Sequence, residues 1–215
     1  MMNDVMTRIA EIGIVPVIRI DDVAKAPQLA QALCSGGVPV AEITFRAAGA
    51  DRAIRAMRES FPDMLVGAGT VLTRAQIDAA CDAGAQFVVS PGFNPKNVEY
   101  CQSKGITIFP GCVTPGEIEC ALEYGLEVLK FFPAEAFGGL KTIKALSAPF
   151  GMVKFMPTGG ISLENLAAYI ANPSIIACGG SYMVTAKLIN EERWDEITAL
   201  CRKSIEIIRE VRSND

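Results

Sequence analysis

The sequence predicts a (β/α)8 barrel of the TIM type, an α/β fold in which one domain spans residues 1–215 and a short N-terminal helix precedes the first strand. Three observations carry this reading. Eight β-rich runs recur at a spacing of roughly 20–27 residues, each followed by a helix-sized segment. Several of those segments open on a capping sequence, and several close on a glycine. No linker, low-complexity tract or composition shift divides the chain. A doubly wound open sheet is the competing arrangement of the same units.

Taken in order, the N-terminal stretch "MMNDVMTRIAEI" carries Asp4 and lacks a continuous apolar core, which argues against a signal peptide. The first strand is "IVPVIRI" (14–20), and the second is "VAEITF" (40–45). "LVGAGTV" (65–71) is followed by Thr73 and Gln76, a capping box, and "FVVSPG" (87–92) by Asn94–Pro95, a cap with proline in the first turn. After "ITIFPG" (106–111), Thr114, Pro115 and Glu117 combine both devices. "VLKFFPA" (128–134) is the sixth strand, "VKFMPTGG" (153–160) the seventh, with Ser162 opening the next helix, and "IIACGG" (175–180) the eighth. Gly84, Gly105 and Gly125 stand where helices end in a left-handed residue. The last helix, 191–211, shows an apolar stripe of Trp194, Ile197, Cys201, Ile205, Ile208 and Val211.

Composition narrows the chemistry. The formal net charge is −4, and no basic cluster with interleaved aromatics is present, so a nucleic-acid surface is not expected. No run of about 18 apolar residues predicts a membrane span. Seven cysteines without a C-x-x-C pair read as free thiols of a cytoplasmic protein. The chain contains no histidine, which excludes a Ser-His-Asp triad, a Cys-His pair and histidine-ligated zinc. Acid–base work falls to Glu, Asp, Lys, Tyr or a thiol, and no metal or other cofactor is expected.

Active residues of such a barrel sit near the C-terminal ends of the strands. Alternation along "AEITFR" puts Ala41, Ile43 and Phe45 on one face and Glu42, Thr44 and Arg46 on the other. A strand inside a closed barrel has no wet outer face, so the polar set points inward, with Arg46 at the mouth about 13 Å beyond Glu42. In "LKFFPAE", Lys130 and Phe132 share a face opposite to Leu129, Phe131 and Pro133. Lysine is rarely buried without a partner or a task. Burial against phenylalanine disfavours the ammonium and frees a lone pair for attack on a carbonyl, with Glu42 across the barrel as proton shuttle. The alternative is a packed stem with the head in water. Lys154 also stands three residues before a proline, and spacing alone does not choose between the two lysines.

"PTGGIS" (157–162) and "CGGSYM" (178–183) each place a glycine pair at a strand end just before a helix, an anion cradle after strands seven and eight. "GAGT" (67–70) and "SPGF" (90–93) are ordinary turn sequences, although the Thr70 hydroxyl is suited to donate to a substrate carboxylate.

Together "AEITFR", "GAGTVL", "SPGFNP", "FPGCVTPGE", "KFFPAE", "PTGGIS" and "GGSYMV" resemble the class I, Schiff-base aldolases for 2-keto-3-deoxy-6-phosphogluconate, many of which also split 4-hydroxy-2-oxoglutarate. The likeness runs through roughly residues 10–205. It implies an Entner–Doudoroff lyase releasing pyruvate and glyceraldehyde 3-phosphate. By the resemblance, Lys130 is the Schiff-base lysine, Glu42 the acid–base group and Arg46 the carboxylate-binding arginine. Thr70 contacts the same carboxylate, and Pro91 and Phe132 line the pyruvyl pocket. Gly159, Gly160 and Ser181 hold phosphate, with Thr158 and Gly180 beside them. A homotrimer is implied as well. The sister family acting on the galactonate epimer is an alternative, but it tends to carry asparagine where this chain has Arg46 and lacks the "FFPAE" form. Two others are a phosphosugar isomerase or cyclase using Lys130 and Glu42 without a covalent bond, and a silent phosphosugar-binding protein. Ala47, Ala48, Gly49 and Phe137 depart from the family pattern near the rim and bear on substrate breadth.

Overall fold

A computed structural model describes residues 3–213. Met1, Met2, Asn214 and Asp215, the outermost positions of the expected 1–215 domain, lie outside the described residues. The first helix, α1 (Asp4–Ile12), is capped by Asn3, whose side chain accepts from the Met6 amide, and ends on Gly13 at φ +79°. The repeating units follow: β1 (Ile14–Ile18), α2 (Ala26–Ser35), β2 (Val40–Thr44), α3 (Ala50–Ser60), β3 (Leu65–Gly69) and α4 (Arg74–Asp82). Next come β4 (Phe87–Val89), α5 (Pro95–Ser103), β5 (Thr107–Phe109), α6 (Pro115–Glu123), β6 (Val128–Phe131) and α7 (Gly139–Ser147). The chain closes with β7 (Lys154–Pro157), α8 (Leu163–Ile170), β8 (Cys178–Gly180), α9 (Ala186–Asn190) and α10 (Trp194–Ser213).

All strand pairs are parallel. Six strands form one sheet in the order β5-β4-β3-β2-β1-β8, which curls into a half-barrel, and β6 pairs with β7. Strands 1 to 5 run consecutively with β8 on the far side of β1, so the order has no reversal of the kind that defines a doubly wound sheet. Hydrogen bonds cross both seams between the two sheets. Lys130 N donates to Pro110 O (3.0 Å) and Cys112 N to Lys130 O (2.9 Å). On the other side Ile176 N donates to Phe155 O (3.1 Å), and Thr158 bridges Gly179.

The expected caps form. Gln76 and Glu117 each complete a capping box with Thr73 and Thr114, and Asn94 caps α5. Gly84, Gly105 and Gly125 take φ of +85°, +67° and +70°, the conformation that ends a helix at low steric cost. Two expectations are corrected. Strands β1 to β7 each end one to three residues earlier than their apolar runs, because those last residues leave the ladder for the loops, whereas β8 ends at Gly180 as expected but begins only at Cys178. The final helix begins at Trp194, three residues later than expected: α9 stops at Asn190, and Glu192 at φ +56° turns the chain. Ser204 joins Ile197, Cys201 and Ile208 in its buried stripe, while Ile205 sits at the edge.

Candidate active site

Register brings the polar residues of β2 to the inner face. Glu42 and Thr44 pair with Gly67 and Gly69 of β3, so side chains at those four positions share one face. Both glycine gaps are occupied. The Phe87 ring lies across Gly67, and the Glu42 carboxyl group lies across Gly69, so a Cβ at either glycine would overlap what is there. Phe87 meets Phe109 edge to face (centroids 5.9 Å apart) and forms an apolar floor below the carboxylate. What reads in sequence as a turn, "GAGT", is therefore a strand with two vacancies at period two. Gly69 was missed as a site residue, and a G-x-G pattern on an inward strand face was the available signal.

Lys130 reaches the same place from β6. Its Nζ is 3.4 Å from Glu42 Oε1, joining residues 88 positions apart across the interior. Lys130 is 5% exposed and Glu42 1% exposed. The seam hydrogen bonds to Pro110 and Cys112 hold the lysine backbone. Glu42 Oε2 is buried without a hydrogen-bond partner, the kind of atom whose desolvation costs about 1–3 kcal/mol. An unpaired buried carboxylate oxygen beside an amine suits a group that must receive a proton. Breaking a buried ion pair is a far larger loss than breaking a surface one, so this pair is not an incidental contact.

Lys154 separates cleanly from Lys130. It opens β7 and pairs with Val128, two residues below the Lys130–Met156 pair, and its Nζ donates to Pro173 O (2.9 Å). The two lysines share a local sequence but occupy opposite ends of their strands.

Arg46 lies just past β2, and its Nε donates to Thr44 Oγ1 (3.3 Å). The Thr44 hydroxyl itself donates to Ile18 O (2.8 Å), so a carbonyl of β1 anchors the pair. Arg46, Phe132, Thr158, Gly159, Gly160 and Ser181, with Val17, Ile161 and Gly179, line one cleft of about 110 Å3. Lys130 does not itself line this cleft, but its Nζ lies over the ring of Phe132, which does, 5.2 Å from the ring centroid. Three larger hollows, of about 350, 470 and 250 Å3, contain none of the candidate residues.

Gly159 and Gly160 have φ of +98° and +82°, so an L side chain at either would be strained. A Cβ on Gly180 would point toward Tyr182 and Ile14, and Gly179 rather than Gly180 lines the cleft, its open side filled by Thr158. The β8 loop leads to a single 3-10 turn, Tyr182–Val184, where a helix was expected, whereas α8 does follow the first glycine pair. Thr70 follows β3 at φ +55°, a rare conformation for a β-branched residue. Pro91 follows β4; its carbonyl packs against Gly111, which in turn bridges Lys130. Ala47, Ala48 and Gly49 occupy the β2–α3 loop, and Phe137 is exposed beside β6.

A parallel α/β scaffold that sets a buried amine against a carboxylate inside its strands, with paired left-handed glycines in a cleft beyond β7, has the groups that lysine-nucleophile enzymes use on carbonyl substrates. The family model described as KDPG and KHG aldolase matches residues 5–200, and the chain belongs to that aldolase family, whose members are carbon–carbon lyases. It is 50% identical over 207 residues to the 2-dehydro-3-deoxy-phosphogluconate aldolase of Haemophilus influenzae, covering 96% of this chain and 98% of that one. Among solved structures, the KDPG aldolase of Legionella pneumophila, with pyruvate captured as a covalent carbinolamine, superposes with a TM-score of 0.90 at 38% identity over 93% of this chain and 97% of that one. The Zymomonas mobilis enzyme with 3-phosphoglycerate gives 0.89 at 36% identity, over 96% and 97%.

Proposed function

We propose that this chain is a class I aldolase that reversibly cleaves 2-keto-3-deoxy-6-phosphogluconate to pyruvate and glyceraldehyde 3-phosphate, and that it also splits 4-hydroxy-2-oxoglutarate to pyruvate and glyoxylate. The observation that carries this reading is the buried Lys130 amine 3.4 Å from the Glu42 carboxylate. The carbinolamine in the Legionella relative and the 3-phosphoglycerate in the Zymomonas relative support the two ends of the substrate.

Glu42 takes a proton from Lys130, and the freed amine adds to the C2 ketone to give a carbinolamine. Glu42 returns the proton to the departing hydroxyl, water leaves, and an iminium forms. The same carboxylate then removes the C4 hydroxyl proton. Electrons of the C3–C4 bond flow into the iminium, leaving an enamine and releasing glyceraldehyde 3-phosphate. Glu42 delivers its proton to C3, and hydrolysis frees pyruvate and Lys130. The iminium is itself the electron sink, so these steps call for no further cofactor or metal.

Arg46 and the Thr70 hydroxyl hold the substrate carboxylate, and Pro91 and Phe132 pack on the pyruvyl methylene. Gly159, Gly160 and Ser181 receive the phosphate, with Thr158 and Gly180 beside them, and holding both ends positions C3–C4 over the lysine. With hydrogen bonds across both seams, we read the two sheets as one closed (β/α)8 barrel and the chain as one domain. We further propose a cytoplasmic homotrimer that binds neither nucleic acid nor membrane; no helix among the described residues is long and apolar enough to cross one.

Borohydride reduction in the presence of pyruvate tests the covalent step. A stable adduct is expected on the peptide containing Lys130. An adduct on Lys154, or none, overturns the assignment.

A further inference from the structure

We infer that Glu135 and Tyr169 form a positioning pair that holds the glycine cradle in its phosphate-binding shape. The inference rests on the aldolase reading above and extends it to residues that reading does not use.

Glu135 opens a single 3-10 turn, Glu135–Phe137, immediately beyond β6. Its side chain is an exposed carboxylate at first sight, yet Oε1 accepts a hydrogen bond from the Tyr169 hydroxyl of α8, a residue only 1% exposed. Burial, and then the Glu135 carboxylate, push the Tyr169 phenol upward, so it stays protonated and remains a donor. The Glu135 methylenes lie over Gly160, whose Cβ would overlap them. At Gly139, φ +54°, a Cβ would come 2.6 Å from the Tyr169 hydroxyl and 2.7 Å from Glu135 Oε1.

Backbone contacts grip the same loop. Glu135 N donates to Gly159 O (3.1 Å) and Ala134 N to Thr158 O (2.8 Å). Asn165 Oδ1 accepts from Ser162 N (2.9 Å), and its amide donates to Gly160 O (2.8 Å), securing the start of α8. Gly159 and Gly160 are therefore held from one side by the turn after the lysine strand and from the other by α8. The Glu135–Tyr169 bond is the side-chain link between these two grips. Two adjacent left-handed glycines are otherwise the most deformable backbone in the cleft. With the link broken, the amides facing the phosphate lose their fixed direction, and the loss falls on the phosphorylated end of the substrate.

The test compares Tyr169→Phe, Glu135→Ala and Glu135→Gln with the wild-type protein on 2-keto-3-deoxy-6-phosphogluconate and on unphosphorylated 4-hydroxy-2-oxoglutarate. For Tyr169→Phe and Glu135→Ala, KM for the phosphorylated substrate is expected to rise about tenfold more than KM for the other. Inhibition by inorganic phosphate should weaken in parallel. Glu135→Gln, which keeps an acceptor for the phenol, is expected to restore the wild-type ratio. Equal losses on both substrates, or an unchanged ratio in Glu135→Ala, overturn the inference even if Tyr169→Phe fails to fold. A wild-type protein that forms no reducible adduct with pyruvate defeats the aldolase reading instead.

Discussion

Gly69 lies against the Glu42 carboxyl group, so the carboxylate is seated by the absence of a side chain on the neighbouring strand. Phe87 occupies the corresponding gap at Gly67, which closes the only other inward space on β3 into which Glu42 would fold. Gly69→Ala is therefore expected to push the carboxyl group away from Lys130. Turnover should fall by about a hundredfold or more, the range lost with a general acid–base group, while overpacking costs about 1–3 kcal/mol of stability. Steady-state kinetics and thermal unfolding read the two effects separately. Activity retained with a lowered Tm would show that Glu42 finds a working position elsewhere.

Thr44 accepts from Arg46 Nε while donating to the Ile18 carbonyl, so its single proton is committed and its lone pairs face the guanidinium. Thr44→Val keeps the shape and removes the acceptor. KM for the keto acid is expected to rise severalfold with little change in kcat, the signature of lost ground-state binding. Thr44→Ser should return toward wild type. A fall in kcat with KM unchanged would contradict an anchoring role for Thr44.

How much of this was legible in the sequence depends on the scale at which each feature is specified. Caps and terminal glycines are local, so Thr73, Asn94, Thr114, Gly84, Gly105 and Gly125 were all readable. The alternation of Glu42, Thr44 and Arg46 followed from the period of two. Lys130 and Lys154 were indistinguishable by spacing because register is a property of the paired strands: only the Val128–Lys154 pairing shows that Lys154 lies at the lower end. Strand ends were overrun because the residues that leave the ladder to build the loops are still apolar or small. Gly69 and Glu135 went unread for another reason. Each acts through a residue distant in sequence, Glu42 for the first and Tyr169 for the second; the G-x-G of β3 signals a gap on the inward face but not what fills it, and nothing around Glu135 signals its partner.

Thr70 combines a β-branched side chain with φ +55°, where strain of about 1–3 kcal/mol is usual. Thr70→Gly removes that strain, and Thr70→Val retains it without the hydroxyl. Both variants are expected to show a raised KM if, as proposed, the Thr70 hydroxyl donates to the substrate carboxylate, since both lose that hydroxyl. Thr70→Gly should unfold at a higher temperature than Thr70→Val. The opposite order in Tm would mean that side-chain packing, not backbone conformation, dominates at this position.

The thiols supply a pH dependence with a defined sign. Burial pushes Cys101, Cys112 and Cys201 up to about 12 and raises Cys178 as well. In the unfolded chain the same thiols ionise near 8.5, so above that pH the unfolded state has released protons that the folded state still holds. Their contribution to stability is complete below the unfolded value and is lost as pH rises toward 12. Each such thiol lowers the unfolding free energy by about 1.4 kcal/mol per pH unit within that window. Denaturant unfolding from pH 8 to 10.5 is expected to show a falling midpoint, and Cys201→Ala should flatten the slope by one thiol's share. Over the same range an alkylating reagent should label Cys120, the exposed thiol, well before the buried four. A midpoint independent of pH, or early labelling of Cys178, would show that these thiols are not held away from solvent in the folded protein.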